Sequence, residues 1–500
     1  MRTRSLLILF LIFLIVTTVN ILPKEKFVID KFEKYIKASL KEWNVPGIAV
    51  GIMHNGYLIL GKGYGYRDLE KKLPVTRYTL FPIGSSTKAF TSFVVGKLVE
   101  DKAFNWSDPV KNHLAGFELY DPWVTKNFRI VDLLIHNSGL PRHDMVWYGS
   151  DRSREELIKG LKYLKNNEGL RTAFQYQNLM FMTAGYLSGQ VKNSTWEKLV
   201  KEYIFTPVEM EGSNFSIEES EKTGNYALPY VEKDGKIIKI PFYREMEGIG
   251  PAGSINSNIY DMLKWVKLQL DKGIWKEKEV ISKKNLKKIH TPHIVAGETI
   301  VQIFEKFPEI SYPAYGLGWF INHYRGTNLI HHGGNIDGFS ALVTFMPDIK
   351  YGVVILTNKG SNLLTYATAF HIYDKLRGLK QIDWNGRFKK VLEERKKGKA
   401  EKAEEAKKNK KVDDGPHDPY NLLSGKYINP AYGEVVISQK DEKLCIKFHK
   451  FESSMKHNGG NEFQTEASAM EGMTIKFIKN NDGKITGISA PLETSVDNII

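Results

Sequence analysis

The chain has 500 residues, of which 42% are hydrophobic and 26% charged, and a formal net charge of +14. This length suggests two or three structural units, and the hydrophobic content is ordinary for globular domains. Residues 387–411 hold 12 basic and 5 acidic side chains, so +7 of the charge lies in one short stretch. No recognition motif accompanies this charge, which excludes nucleic-acid binding as a main function.

Residues 1–20 have the pattern of a secretory signal peptide. Arg2 and Arg4 precede an apolar stretch at residues 6–16, which is short for a membrane span because spanning needs about 20 apolar residues. We therefore expect a secreted protein. Small residues match the cleavage positions poorly, so an uncleaved segment that anchors the chain to a membrane is the alternative.

The next segments predict a helix followed by a β-hairpin. Apolar residues recur at helical spacing over residues 28–43. Residues 47–53 and 57–65 flank Asn55-Gly56, which is the strongest short-range hairpin turn signal.

Residues 85–272 have mostly helical patterns, and strand patterns return after residue 315. The later strands are predicted at residues 317–324, 328–332, 340–346 and 352–357. Their short connections favour antiparallel pairing. Strands at both ends of residues 21–378 predict an α+β domain, with an antiparallel sheet flanked by helices and an inserted helical region.

The composition changes around Trp384. Residues 393–411 are rich in Lys, Glu and Ala, which predicts a charged helical linker over residues 379–415. Short alternating runs then recur across residues 416–500 and predict a small all-β, barrel-like domain. Cys445, the single cysteine of the sequence, falls in one of these runs and cannot form an intramolecular disulfide.

The run Ser85-Ser86-Thr87-Lys88 is a candidate nucleophile motif. A helical pattern at residues 88–100 places Ser85 at a helix N-terminus, where free backbone N–H groups favour negative charge. Lys88 is three residues later and shares a helix face with Ser85. Because a serine hydroxyl is a poor nucleophile without an adjacent activating group, this spacing points to acyl transfer.

Two further motifs follow in order, Tyr176-Gln177-Asn178 and His331-His332-Gly333. A phenol close to a lysine ammonium has its anionic form favoured, so Tyr176 could accept the serine proton.

The same three patterns occur a second time, within residues 427–429, 453–456 and 457–459. No apolar helix follows that serine, and the three matches are crowded into polar loop and strand sequence. We interpret this second set as coincidence.

With these motifs the chain resembles the serine β-lactamase and penicillin-binding-protein superfamily over roughly residues 30–375. It is most similar to the branch that holds class C β-lactamases, D-aminopeptidases, related esterases and LACTB-like proteins. The C-terminal domain is similar to the lipocalin-like appendage of that branch. Other matching stretches are residues 133–141, 250–254, 315–319 and 332–340.

The resemblance implies a role for each motif residue. Ser85 would be the acylated nucleophile, Lys88 its electrostatic and proton-relay partner, and Tyr176 the general base. Asn178 would hold the substrate amide. His331 would take the place of the lysine in the family's Lys-Thr-Gly motif.

The glycines after that histidine would bind substrate through their backbone. Gly333 completes the motif, and the backbone N–H groups of Ser85 and Gly334 would form the oxyanion hole. The resemblance implies no metal and no organic cofactor.

Histidine in place of lysine is a departure from the lactamase pattern. Histidine titrates near pH 6.5 and is mostly uncharged at neutral pH, so the capture of a substrate carboxylate is weakened. This favours the esterase and aminopeptidase branches. Neighbouring residues on a strand point in opposite directions, so the sequence leaves open which of His331 and His332 faces the cleft, and the motif spacing favours His331.

The sequence therefore predicts a serine hydrolase that cleaves ester or amide bonds, peptides included, through a Ser85 acyl-enzyme. One alternative is a scaffold or filament-forming binding protein with little turnover. Another is a penicillin-recognising DD-peptidase or β-lactamase. The expected partner is a small ester, amide or peptide substrate, and a homo-oligomer stays open.

Overall fold

A computed structural model describes residues 29–297, 299–409 and 415–499. The predicted signal peptide, residues 1–20, lies outside these ranges and stays a prediction. No helix within the three ranges is long and apolar enough to cross a membrane.

The larger sheet has nine antiparallel strands in the order β4-β5-β6-β7-β8-β9-β1-β2-β3. The strands are β1 Gly47–His54, β2 Tyr57–Asp68, β3 Leu73–Pro74, β4 Ile294–Val295, β5 Ile310–Tyr315, β6 Phe320–Tyr324, β7 Thr327–Ile336, β8 Phe339–Met346 and β9 Tyr351–Thr357. The last strand, β9, pairs with the first, β1. The sheet therefore combines strands from both ends of the domain, as the sequence predicts for an α+β fold.

Fifteen α-helices surround the sheets and connect them within the described ranges. They are α1 Ile29–Glu42, α2 Lys88–Glu100, α3 Pro122–Asn127, α4 Arg154–Gly160, α5 Asn178–Val191, α6 Trp196–Val200, α7 Thr206–Val208, α8 Ile217–Lys222, α9 Gly250–Gly253, α10 Ile259–Leu270, α11 Lys283–Ile289, α12 Thr299–Phe304, α13 Leu364–Leu376, α14 Trp384–Asn409 and α15 Tyr420–Leu423. Helices α1, α13 and the start of α14 cover one face of the sheet, and α10 covers the other with α2 and α5 behind it.

The predicted hairpin is confirmed. Its turn residues Asn55 and Gly56 have φ of 50° and 79°, the positive values that a two-residue hairpin turn requires. The strand predicted to begin at residue 317 begins instead at Phe320, because Gly318 has φ 76° and interrupts the extended backbone.

The second sheet contains seven antiparallel strands that pair in sequence order. They are β10 Gly425–Asn429, β11 Gly433–Lys440, β12 Lys443–Phe448, β13 Phe451–His457, β14 Glu462–Thr465, β15 Thr474–Lys479 and β16 Ile485–Ser489. This matches the predicted all-β, barrel-like domain.

Helix α14, Trp384–Asn409, forms most of the segment that the sequence predicts as a charged helical linker. Its first turns are not free-standing, however, since Trp384 and Phe388 are buried in the core that α13 helps to form. The apolar anchors of α14 thus make its N-terminal part a layer of the larger domain.

Candidate active site

The nucleophile motif forms the turn that leads into α2. Residues Gly84–Thr87 make one 3-10 turn that continues directly into the helix, so Ser85 lies at a helix N-terminus as predicted. Gly84 has φ 50°, and a Cβ there would lie 2.9 Å from the backbone nitrogen of Asn335 on β7. Only glycine fits both the backbone angle and this close approach.

Lys88 is fully buried and faces Ser85. Its Nζ lies 3.0 Å from Ser85 Oγ, 2.8 Å from Asn178 Oδ1 and 2.9 Å from the carbonyl oxygen of Ala252. Burial, reinforced by the nearby charge of Arg142, holds the pKa of Lys88 well below its ordinary value. The neutral amine, which can accept a proton, is therefore favoured in this site.

This shift weakens one step of the sequence argument. A phenolate at Tyr176 was expected from a neighbouring ammonium, but a neutral Lys88 does not favour the anion. The Tyr176 ring does lie beside the amine, with its centroid 4.8 Å from Lys88 Nζ and 4.1 Å from the ring of His136. The structure thus brings the Tyr176 ring beside Lys88, and its role as the general base stays a prediction.

Asn178 is the first residue of α5 and lines the cleft. Both halves of its amide are engaged by protein groups, because Oδ1 accepts from Lys88 and Nδ2 donates to Asp144 Oδ1 at 3.0 Å. Both ends of the Asn178 amide thus bind protein groups, and its predicted role in holding the substrate amide stays a prediction.

Asp144 is a residue of this site that no sequence motif predicts, and it lines the cleft. It begins a short 3-10 helix, Asp144–Val146. Its carboxylate accepts hydrogen bonds from Asn178, from Trp147 Nε1 at 3.0 Å and from Arg142 Nε at 2.8 Å. The only local signal was a polar run in a loop, since the contact with Asn178 joins residues 34 positions apart.

The structure corrects the assignment of His331 to the cleft. Alternate residues of β7 face opposite layers, and the His331 ring packs against Phe304 and Tyr366 on the α13 side. Gly333 shares this face, since a Cβ there would meet Tyr366 Oη at 2.9 Å.

His332 and Gly334 face the nucleophile side of β7. The His332 ring centroid lies 6.4 Å from that of Tyr176. A Cβ on Gly334 would lie 1.8 Å from the carbonyl oxygen of Ile83 and 3.1 Å from the nitrogen of Ser85. The backbone of β7 thus approaches the nucleophile turn more closely than any side chain would allow.

Both histidines are buried and neutral. His332 Nδ1 donates to the Gly333 carbonyl oxygen at 2.6 Å, so Nε2 accepts from Tyr315 Oη at 3.0 Å. His331 Nε2 donates to Asn322 Oδ1 at 2.8 Å. Burial lowers the pKa of each ring to about 3, so neither supplies a cation to the cleft at neutral pH.

We expect the protein to lose stability as the pH falls from 6.5 towards 5. Burial lowers the pKa of His290, His331 and His332 to about 3, whereas the unfolded rings titrate near 6.5. The unfolded state then binds more protons in this window, which costs on the order of 2 kcal/mol per ring at pH 5. Urea unfolding midpoints measured from pH 7 to 5 test this.

His290→Gln is the matched variant for that measurement. It replaces a titrating ring that is hydrogen-bonded to Gln269 with an amide that does not titrate. Its pH slope should be shallower than that of the wild type. A wild-type midpoint that does not change across the window would contradict the burial of these rings.

The two faces of β7 predict different effects of His331→Asn and His332→Asn. His332→Asn disturbs the side that carries Tyr176 and should lower kcat about tenfold, less than the roughly 10²-fold that a 1 Å misplacement at a reacting centre can cost. The first should lower the melting temperature with kcat within about twofold. Kinetics of both variants below their melting temperatures test this, and the reverse order would restore His331 to the cleft.

Ser85 opens onto a cleft of about 1170 Å³. Its lining includes charged and aromatic side chains from several elements: Arg142, Asp144, Trp147, Tyr148, Asp337 and Lys359. Within the residues that the structure describes, no cluster of three or more His, Cys, Asp or Glu side chains could hold a metal ion.

The second set of motif matches is dispersed over strands. Ser453 and Lys456 both lie on β13, where residues three apart point to opposite faces. Tyr427 lies on β10, at the far end of the smaller sheet in strand order. The contrast with Ser85 and Lys88 supports the interpretation as coincidence.

The chain is similar to curated proteins over most of its length. The chain is 29% identical over 447 residues to an unguisins hydrolase of Aspergillus campestris, and the alignment covers 83% of this chain and 78% of that protein. It is 26% identical over 339 residues to protein flp of Staphylococcus aureus, covering 66% of this chain and 63% of that protein.

Solved structures share the fold at lower identity. The octameric penicillin-binding protein homologue from Pyrococcus abyssi aligns with TM-score 0.64 and 22% identity over 91% of this chain and 97% of that one. FmtA from Staphylococcus aureus aligns with TM-score 0.55 and 22% identity over 71% of this chain and 89% of that one.

Two family models match the chain. A domain of unknown function, DUF3471, matches residues 409–498, which include the smaller sheet. The Beta-lactamase model matches residues 32–372, the part that carries the buried lysine, its serine and the strand beside them. By that match and by its fold, this chain belongs to the beta-lactamase family, with penicillin-binding-protein homologues as structural neighbours.

Proposed function

We propose that this protein is a serine hydrolase that cleaves ester or amide bonds, peptide bonds included, through a covalent acyl-enzyme on Ser85. The observation that carries the proposal is the 3.0 Å contact between Lys88 Nζ and Ser85 Oγ. Burial lowers the pKa of that lysine, and the serine lines an open cleft. A base next to a serine that substrate can reach is the arrangement that nucleophilic catalysis needs.

In the first step Ser85 Oγ attacks the substrate carbonyl carbon and its proton moves to the neutral amine of Lys88. Lys88 keeps its hydrogen bonds to Asn178 and Ala252 in this step, so the new ammonium forms with acceptors already in place. The Tyr176 ring adjoins the amine, and we assign its phenol to carrying the proton on to the leaving group.

The negative charge that develops on the carbonyl oxygen needs donors that are already in place. We assign this role to the backbone N–H groups of Ser85 and Gly334, which the close approach of β7 to the nucleophile turn supports. One such donor is typically worth about 3 kcal/mol of transition-state stabilisation. Collapse of this intermediate breaks the scissile C–O or C–N bond and releases the protonated alcohol or amine, which leaves the acyl group on Ser85. Water then attacks the acyl carbonyl carbon and gives a proton to the same relay. Cleavage of the bond between Ser85 Oγ and the acyl carbon returns that proton to Ser85 and releases the acid.

The charges around the site favour substrates without a carboxylate beside the scissile bond. His331 and His332 stay neutral because burial lowers the pKa of each to about 3, and the Arg142 guanidinium is paired with Asp144 at 2.8 Å. These neutral and paired groups favour esters and amides that lack the carboxylate over penicillins. The cleft volume of about 1170 Å³ is above the range of about 300–1,000 Å³ typical of small-molecule sites and leaves room for a peptide.

A substrate panel tests this proposal. D-Aminoacyl amides, short-chain p-nitrophenyl esters and nitrocefin are assayed in parallel, and a fluorescent penicillin is tested for labelling. We expect turnover of the esters or amides and little of nitrocefin. Nitrocefin turnover together with penicillin labelling would favour a penicillin-recognising enzyme, and large assemblies without any turnover would favour a scaffold.

A further inference from the structure

The C-terminal β-domain contacts the loop that forms one wall of the cleft. The Phe451 ring stacks on Tyr148 with centroids 5.3 Å apart, His449 Nε2 lies 3.0 Å from the Met145 carbonyl oxygen, and Lys450 N donates to the Gly149 carbonyl oxygen at 3.2 Å. The loop, residues 142–152, carries Arg142 and Asp144 of the candidate site. We call it the cleft loop.

His143 is the strained point of the cleft loop. Its φ and ψ are 46° and 39°, a left-handed conformation that is uncommon for residues other than glycine and costs energy for a side chain with a Cβ. The residue is buried, and two groups of the C-terminal domain hold it. Its backbone N–H donates to Glu493 Oε2 at 2.8 Å, and its Nδ1 lies 2.6 Å from Tyr432 Oη.

The tyrosine is the donor in the second contact. Burial lowers the pKa of His143 and raises that of Tyr432, so a neutral ring accepts a hydrogen bond from a protonated phenol. The acceptor on the other side is a carboxylate, because hydrogen bonds from Ser495 and from the His143 backbone hold the pKa of Glu493 below its ordinary value despite its partial burial. Both contacts are therefore made in their stronger form at neutral pH.

The residue after His143 is Asp144, and from there hydrogen bonds lead to the nucleophile. Asp144 Oδ1 accepts from Asn178 Nδ2 at 3.0 Å, and Asn178 Oδ1 accepts from Lys88 Nζ at 2.8 Å. If His143 relaxed to ordinary backbone angles, the carboxylate of its neighbour would turn away from Asn178. The amide would then be free to rotate and to present Nδ2 to the lysine.

We propose that Glu493 and Tyr432 are positioning residues for the hydrolytic site: by holding His143 in its left-handed conformation, the C-terminal domain fixes Asp144 on Asn178 and thereby Lys88 on Ser85. This inference rests on the proposed function and assigns the C-terminal domain a part in it. The hydrogen-bond partners of Lys88 in the described ranges are Ser85, Asn178 and Ala252, so the domain acts on this site through the cleft loop.

The test measures how fast Ser85 is acylated by a fluorophosphonate probe in the full-length protein. Tyr432→Phe and Glu493→Ala should each slow acylation about tenfold, less than the roughly 10²-fold that a 1 Å misplacement at a reacting centre can cost, with KM for an ester within about twofold. Glu493→Gln keeps an acceptor oxygen and should retain most of the rate. The control is Glu245→Gln, which removes an ion pair with Lys450 at the same domain contact and should acylate like the wild type.

A pH profile separates positioning from a loss of structure. The Asp144 carboxylate raises the pKa of Lys88, so moving it away should shift the acidic limb of the acylation rate to lower pH in Tyr432→Phe. Thermal melts measure whether each variant is folded. If Glu493→Ala does not fold, the acylation rate and pH profile of Tyr432→Phe test the positioning role alone.

Two outcomes would overturn the inference, and they are distinct. Folded variants that acylate at the wild-type rate with an unshifted profile would remove the positioning role and leave the hydrolase intact. A wild-type protein that forms no Ser85 adduct would remove the proposed function and this inference together.

Discussion

Ser85→Ala is expected to lower kcat by about 10⁴-fold or more on any ester or amide that the wild type cleaves. The hydroxyl is the only group assigned to bond formation with the substrate, and removal of a nucleophile leaves only the catalysis supplied by binding and by the oxyanion donors. Steady-state kinetics with a p-nitrophenyl ester measure the loss. KM should change far less than kcat, since the cleft walls are untouched.

The neighbouring serine is the matched control. Ser86 is buried, and its Oγ donates to the carbonyl oxygen of His332 at 3.0 Å. Ser86→Ala should therefore lose about 1 kcal/mol of stability and keep most of its turnover. Full activity in Ser85→Ala, or equal losses in both variants, would contradict a nucleophile at position 85.

Lys88→Met should reduce the acylation rate by about 10³-fold, in the range expected when a general base is removed. The Lys88 side chain is fully buried. Methionine is a similarly long, unbranched side chain and can occupy the same space. The rate of Ser85 acylation by an activated ester, followed by stopped flow, measures the effect. The wild-type rate should rise with pH at values below the ordinary pKa of lysine, because burial lowers the pKa of Lys88.

Lys88→Arg distinguishes a base from a fixed cation. A guanidinium keeps the positive charge but cannot accept a proton at any accessible pH. If Lys88 acts as the base, Lys88→Arg should be as slow as Lys88→Met. The control is Lys97→Met on the same helix, which removes a partly exposed ion pair with Glu100 and should acylate normally. Near-wild-type acylation by Lys88→Arg would contradict the assignment.

The nucleophile motif was predictable because its geometry is local. Ser85 and Lys88 are one helical turn apart, so the helical pattern of residues 88–100 was enough to bring them together. The Asn55-Gly56 hairpin was predictable for the same reason, since the turn sequence itself specifies the backbone angles.

The orientation of the two histidines was not predictable. Strand β7 is central and buried on both faces, so apolar residues occupy odd and even positions alike, Leu329 as well as Ile330. Such a strand carries no polar–apolar alternation that could reveal which face meets the helices of the active site. The packing of β7 against α13 decides which histidine faces the active site. The local sequence does not predict that contact.

The role of Asp144 was hidden for a different reason. Its hydrogen-bond partner Asn178 lies 34 residues away in the sequence. The backbone before Asp144 is held at His143 by Tyr432 and Glu493, which are more distant still. A loop whose conformation depends on another domain has no signature of its own. The sequence shows only a short polar run at residues 142–144, with no motif that connects it to the nucleophile.

Trapping the covalent intermediate tests the central claim most directly. The full-length protein is mixed with a slowly hydrolysed activated ester and quenched in acid, and its intact mass and peptide map are recorded. A shift equal to one acyl group, localised to the peptide that contains Ser85 and missing from Ser85→Ala, is the predicted result. An active enzyme that never carries this group, or that carries it on another residue, would contradict the account.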